Sequence, residues 1–189
     1  MTYVDDYITD LENTLKAVSR SEIQAVVDCL FDALFEDRQV FIVCNGGSAS
    51  TASHMMNDLS KLTIRSGKPR YRAIALTDNM PLITAWGNDV SYDSVFVEPL
   101  RNLMRPADIL VAISTSGNSS NILSAVTCVH EEFSGTVIAI TGNQGGALAD
   151  ASDLVVRIPS EHIGHQEDGH LIVNHVVCNA RAERIGELE

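Results

Sequence analysis

His54 and Asp58 stand four residues apart in a stretch whose apolar pattern predicts a helix over about 49–64. An i,i+4 pair shares one helical face, so this imidazole and carboxylate could meet one ion or one substrate. The same chemistry recurs late in the chain, where His162, His165, His170 and His175 are four of the 6 histidines. Glu167, Leu171 and His175 fall on one stripe of a second predicted helix, and Glu167 with His170 makes a Glu-x-x-His pair. Any one of these histidines also fits a solvated or capping role. His175, between Val173 and Val176, also fits a hydrogen-bonded core position.

Two loops carry a different signal. Cys44-Asn45-Gly46-Gly47-Ser48-Ala49-Ser50 follows a short apolar run and leads into a helix. Its glycines let a ligand approach the backbone, and the helix start offers unpaired N–H donors at a positive dipole end. Ser114-Thr115-Ser116-Gly117-Asn118-Ser119-Ser120 follows another such run and stacks hydroxyls at a second helix start. Each loop alone also reads as a tight turn with an N-cap, but two of them after two parallel strands point to an anion. There is no GxxxxGK[ST] and no GxGxxG with a downstream acid. Lysine-free hydroxyl cradles suit a phosphomonoester on a sugar better than a nucleoside triphosphate.

Elements that could position these residues are visible in the periodicity. Short runs rich in β-branched residues recur at Val40–Val43, Ala73–Leu76, Ile109–Ile113, Val137–Ile140 and Leu154–Ile158, as in strands buried on both faces. Helical stretches separate them at about 49–64, 79–103 with a break near Gly87, 119–132 and 145–150. This alternation predicts an α/β chain: a single-domain, three-layer α/β/α sandwich around a parallel sheet. Two helices precede the first strand. The first carries Val4, Tyr7, Ile8, Leu11, Leu15 and Val18 at helical spacing, and Ser21 with Gln24 reads as a capping box opening the second. The first helix suits either a second subunit or the core. A long amphipathic helix over about 165–186 ends the chain. The divisions are 1–37 for the N-terminal helices, 38–160 for the α/β core and 161–189 for the C-terminal helix, with ligands expected beyond the carboxyl ends of the strands.

The 189 residues fit one ordinary domain. A net charge of −12 argues against nucleic acid and anionic membrane as partners, which recruit basic patches. It leaves room for a small anion held by N–H groups. No apolar run approaches a membrane span, and the acidic N-terminus does not read as a secretory leader. Cys29, Cys44, Cys128 and Cys178 form no CxxC pair, which predicts reduced thiols and a cytoplasmic setting.

The Asn45-Gly46-Gly47-Ser48 loop together with Ser114-Thr115-Ser116-Gly117-Asn118-Ser119 resembles the sugar isomerase (SIS) domain family, and more narrowly the phosphoheptose isomerases. The resemblance runs over nearly the whole chain. It implies the SIS fold, with Ser114, Thr115, Ser116 and Ser119 gripping a phosphate. It implies that Asn45, Gly46, Gly47 and Ser48 line the sugar, with Asn88 and Asp89 of a Gly-Asn-Asp stretch. It also implies a zinc ion held by His54, Asp58, Glu167 and His175, with Glu167 also meeting substrate. Asp58 stands where the family usually has Glu, and Glu167 where it has Gln. The second change adds a negative charge, which favours a cation.

The implied activity is aldose–ketose isomerisation through an enediol, converting sedoheptulose 7-phosphate to D-glycero-D-manno-heptose 7-phosphate. Asp58 would be the base and His175 the acid, and the remote phosphate grip would hold the reacting carbons in place. The family implies a homotetramer, with sites between subunits because the final helix shows no obvious route back over its own first loop. Two alternatives stay open at this point. One is an isomerase of a related phosphosugar. The other is a non-catalytic SIS protein that binds a phosphosugar or a partner such as the bacterial replication initiator. Protein-binding members tend to lack the metal-site residues that this chain keeps, and no helix-turn-helix is appended.

Overall fold

The structure, a computed structural model, describes residues 2–187. Five parallel strands form one sheet: β1 (Val40–Val43), β2 (Ala73–Ala75), β3 (Ile109–Ser114), β4 (Thr136–Thr141) and β5 (Leu154–Arg157), in the order β2-β1-β3-β4-β5. All lie within a residue or two of the expected runs. Every residue of β1 and β3 is buried, which explains their continuous apolar character.

Alternate side chains leave the sheet on opposite faces and make two cores. Val40 and Ile42 join Val26, Leu30, Met55 and Val177 on one side. Phe41 and Val43 join Phe96, Leu100, Ile122 and Val126 on the other. The first layer is built from α2 (Arg20–Phe35), α3 (Ala49–Asn57) and α8 (Ile163–Gly186). The second is built from α5 (Ser94–Leu103) and α6 (Ser120–Cys128), with α4 (Met80–Asp89) against its edge and the short α7 (Gly146–Asp150) contributing Leu148. The expected three-layer α/β/α sandwich is present.

Several local expectations shift. The cap of α2 is Ser19, not Ser21: the Ser19 hydroxyl accepts from Glu22 N at 3.2 Å. Gln24 instead donates to Asp28, one turn ahead. Two hydroxyls two residues apart both suit a cap, and only the path of the chain entering the helix chooses between them. The break in the 79–103 stretch falls at Val90–Asp93 rather than at Gly87, which is tolerated inside α4. The helices after β1 and β3 both end in a π-helical turn, at Asp58–Leu62 and Val129–Phe133.

The N-terminal helix α1 (Tyr3–Ala17) buries only Thr14 along its length and leaves Tyr3, Val4 and Ile8 exposed. It is tied to α8 by the Tyr7 hydroxyl, which donates to Asp168 at 2.7 Å, and by the Tyr7 ring against His162 and His165. All four cysteines are unpaired, and three are buried. Among the described residues, no helix is long and apolar enough to cross a membrane.

The register of α8 is held deep in the first layer. The Arg181 guanidinium is fully buried, donates to Val27 O at 2.7 Å and to the Tyr71 hydroxyl at 3.2 Å, and lies over the Phe31 ring. This clamp ties α8 to α2, and so decides where residues two turns earlier on α8 must land.

Candidate active site

In an open sheet of this order the direction of winding reverses between β1 and β3, and the crevice beyond their carboxyl ends is where ligands bind. Both loops singled out in the sequence leave the sheet there. Between them lies a cleft of about 80 Å³, lined by Asn45 and Ser48 from the first loop and Ser114, Thr115, Ser116 and Ser119 from the second. That volume is a few waters' worth, the scale of a phosphate rather than of a whole sugar. Neither Ser48, at the start of α3, nor Ser119, at the start of α6, spends its hydroxyl on capping its own helix. No lysine or arginine lines the cleft.

The walls are rigid for reasons visible in their hydrogen bonds. The Ser114 hydroxyl accepts from Gly117 N at 3.1 Å, and the Ser116 hydroxyl accepts from Asn118 N at 3.2 Å. Asn118 then accepts from Ala147 N at 3.1 Å, tying the loop to α7. Across the cleft, Asn45 and Asn121 exchange amide hydrogen bonds at 2.8 and 2.9 Å, and the Tyr92 hydroxyl donates to Asn45 at 3.0 Å. Cys44 is buried beneath the cleft and donates its thiol to Ile113 O at 2.9 Å. Burial pushes that thiol up to about 12, so it stays protonated and is no nucleophile.

The helix that opens at Ser48 carries the second part of the site. His54 Nε2 lies 3.4 Å from Asp58 Oδ2 and 3.3 Å from His175 Nε2. Ligand atoms of the three residues all fall within 4.8 Å of one another. Bonds of about 2.0–2.1 Å to imidazole nitrogen or carboxylate oxygen place the ligands of a tetrahedral ion about 3.3–3.4 Å apart, so the donor set fits a divalent cation and leaves a fourth position open. Asp58 is buried at the mouth of its π-helical turn, with Asn57 donating to Oδ1 at 3.3 Å and Asn174 to Oδ2 at 3.2 Å.

Not every expected residue joins this group. Glu167 lies outside it: its carboxylate points to the first loop, where Oε1 is 3.6 Å from the place a Cβ on Gly47 would occupy. Eight residues of α8 separate it from His175, roughly 12 Å of helix, so sharing a stripe does not bring them to one point. The group therefore has one carboxylate rather than two. Asn88 and Asp89 bond each other at the exposed end of α4 and do not line the cleft. These three residues meet within one chain, because α8 runs back along α3, a route that was not obvious from the sequence. Among residues that sequence reasoning passed over, Asn121, Tyr92 and Asn174 support the site. Only Asn174 left a trace, as an amide inside the apolar Val173–Val177 run.

The remaining late histidines separate by burial. His162 is exposed, and His165 packs on Tyr7 with Nδ1 3.4 Å from the Ser160 hydroxyl. His170 is completely buried, and neither ring nitrogen has a hydrogen-bond partner of good geometry. Burial holds it below the ordinary value, with the nearby Thr141 backbone offsetting part of the effect. The unfolded chain therefore binds a proton at acid pH that the folded chain refuses. The stability that His170 contributes is full above about pH 6.5 and is lost as pH drops below it. Scanning calorimetry between about pH 5 and 6.5 should show a falling Tm that flattens in a His170→Leu variant. An equal slope in both proteins would remove His170 as the cause.

Residues 3–142 match the SIS domain family. The chain belongs to that family. The chain is 35% identical over 167 residues to a phosphoheptose isomerase of Geotalea daltonii, covering 87% of this chain and 84% of that protein. It is 32% identical to a phosphoheptose isomerase of Akkermansia muciniphila, covering 93% of each. Among solved structures, the chain superposes on a phosphoheptose isomerase from Neisseria gonorrhoeae with a TM-score of 0.86 and 29% identity, covering 94% of this chain and 96% of that one. A phosphoheptose isomerase from Francisella tularensis gives a TM-score of 0.84 and 31% identity, covering 97% and 100%.

Proposed function

We propose that this SIS-domain protein is an aldose–ketose isomerase that interconverts sedoheptulose 7-phosphate and D-glycero-D-manno-heptose 7-phosphate. The observation that carries the reading is the meeting of His54 of α3 and Asp58 of the turn that follows it with His175 of α8, on the helix path that opens at a hydroxyl-lined cleft with no lysine or arginine in its wall. Ser114, Thr115, Ser116 and Ser119 bind the phosphate with hydroxyls and N–H groups. Asn45, Gly46, Gly47 and Ser48 line the sugar, with Glu167 beside Gly47, and Asn88 and Asp89 are carried as substrate contacts by the family resemblance alone. From Ser48 to His54 the helix advances roughly 9 Å, a span suited to a sugar that is anchored by its phosphate and reacts at its far end. The phosphate grip thus supplies binding energy remote from the chemistry.

Asp58 takes the proton from the carbon beside the carbonyl, and His175 gives a proton to the carbonyl oxygen. The enediol so formed collapses in the other direction: the oxygen on the neighbouring carbon loses its proton to His175, and Asp58 returns its proton to the carbon that was the carbonyl. No atom is gained or lost. His54, Asp58 and His175 are the residues that would hold a zinc ion, supported by two imidazoles and one carboxylate at tetrahedral spacing. Such an ion supplies Lewis-acid polarisation of the substrate oxygens.

The chain is read as one domain, with helical extensions at 1–37 and 161–189 around the 38–160 core. Self-association is supported by the exposed apolar side chains Tyr3, Val4 and Ile8 on α1, and a homotetramer is the state that the family resemblance implies. The four unpaired thiols favour a cytoplasmic setting.

The test is to incubate the purified protein with sedoheptulose 7-phosphate, with and without zinc, and follow aldose formation. Turnover that zinc increases is the expected result. Phosphosugar bound without turnover in either condition would replace this reading with a non-catalytic binding protein.

A further inference from the structure

We propose that Asn174 is a positioning residue for Asp58, an amide on α8 that holds a short carboxylate at the reach His54 and His175 require. The inference rests on the reading of the site given above and concerns how this chain makes an aspartate serve there.

Asn174 is completely buried, on a face of α8 that otherwise presents Val173, Val177 and Cys178 to the core. A buried amide is costly unless both of its ends are bonded, and here each end has one chemically possible partner. Its Nδ2 donates to Asp58 Oδ2 at 3.2 Å, and its Oδ1 accepts from the Cys178 thiol at 3.4 Å. Asp58 can only accept and the thiol must donate, so the orientation of the amide is decided by its partners. Cys178 is kept as a donor because burial, with the Asp58 charge adding to it, pushes its thiol up to about 12.

The consequence lies in the freedom of a carboxylate. Rotation about the last bond of an aspartate is broad, so nothing in the side chain itself sets the plane of its oxygens. Asn57 holds Oδ1 at 3.3 Å and Asn174 holds Oδ2 from the opposite helix. One amide on each oxygen fixes the plane and leaves Oδ2 3.4 Å from His54 Nε2. Asn57 sits beside Asp58 on the same backbone and moves with it. Asn174 is therefore the contact that registers the carboxylate against α8, the helix that carries His175.

The test measures zinc affinity of the full-length protein by isothermal titration calorimetry, alongside kcat, KM and Tm. Asn174→Leu keeps the shape and removes both polar atoms. Zinc binding is expected to weaken about 10–100-fold, the range found when groups that orient metal ligands are lost. kcat should fall, while KM for the phosphosugar stays within about twofold because the phosphate cleft is untouched. Unchanged zinc affinity in a folded Asn174→Leu protein overturns the proposal, as does a parent protein that binds no zinc. If the leucine variant folds poorly, the relay is read one step back. Cys178→Ala should weaken zinc and Cys178→Ser, which keeps a donor, should restore it; equal affinities in parent, alanine and serine proteins overturn the proposal. Calorimetry needs no substrate, so the two readings fail separately. A protein whose zinc affinity depends on Asn174 but which turns over no phosphosugar refutes the isomerase. One that turns over phosphosugar with zinc affinity indifferent to Asn174 refutes the positioning role.

Discussion

Replacing Asp58 by asparagine is expected to lower kcat for sedoheptulose 7-phosphate by about 10²–10⁴-fold, the share of a barrier that a positioned general base carries. Asparagine keeps the shape, and its amide oxygen can still face His54 across the 3.4 Å gap now spanned by Asp58 Oδ2. What it loses is the capacity to take a proton from carbon. KM should move little, since the cleft proposed for the phosphate, between the β1 and β3 loops, is not lined by this residue. His175→Gln should produce a loss of similar size from the acid side. Steady-state kinetics with zinc saturating decides the matter: parent-like rates in both variants would mean that other groups move the protons.

The second large effect is structural. Gly117→Ala should cost roughly 2–5 kcal/mol of stability, combining about 1–2 for a left-handed backbone with about 1–3 for overpacking. Gly117 has φ +65°, and a Cβ there would lie 1.9 Å from Gly145 O and 2.6 Å from Gly145 C. Both obstacles are backbone, so no side chain can swing aside. Against a total of about 5–15 kcal/mol for a typical domain, such a loss is severe. Urea denaturation should show a midpoint well below the parent, and any folded protein should bind phosphosugar weakly because the Ser114–Ser119 loop has moved. Gly67→Ala is the control. Gly67 has φ +73° but nothing within 4 Å of a Cβ, so it carries the backbone penalty alone. Equal losses at the two positions would show that the clash with Gly145 is relieved at no cost.

Much of this architecture is legible in one dimension because it rests on local rules. Strands buried on both faces must be continuously apolar, so β1 and β3 announce themselves as Val40–Val43 and as the run that begins at Ile109. The hydroxyl cradle is legible too, because a loop between a strand and a helix has its N–H donors fixed by the helix start. Where two local signals compete, legibility stops. Ser19 and Ser21 are equally good caps by type, and Gly87 looked like a better helix breaker than the Val90–Asp93 segment that separates α4 from α5. Packing decided both. Tyr92 and Asn121 were passed over for the same reason, since their bonds to Asn45 cross 47 and 76 positions of the chain.

The candidate metal group divides along this line. From the sequence alone, His54 and Asp58 must face the same way, because 3.6 residues per turn places i and i+4 side by side. Four late histidines were then available as partners, and it was the family resemblance, not the spacing, that implied Glu167 and His175 together. Only the tertiary structure decided that His175 reaches His54 across 121 positions, at 3.3 Å, while Glu167 lands beside Gly47 and His170 is sealed in the core. The physical reason is that a helix's own period says which residues share a face but not where another helix crosses it. That crossing is set by the burial of Val173 and Val177 on the sheet and by the clamp of Arg181 on α2. The chemistry of the site was written in residue types and spacing; its membership was settled by where α8 crosses α3.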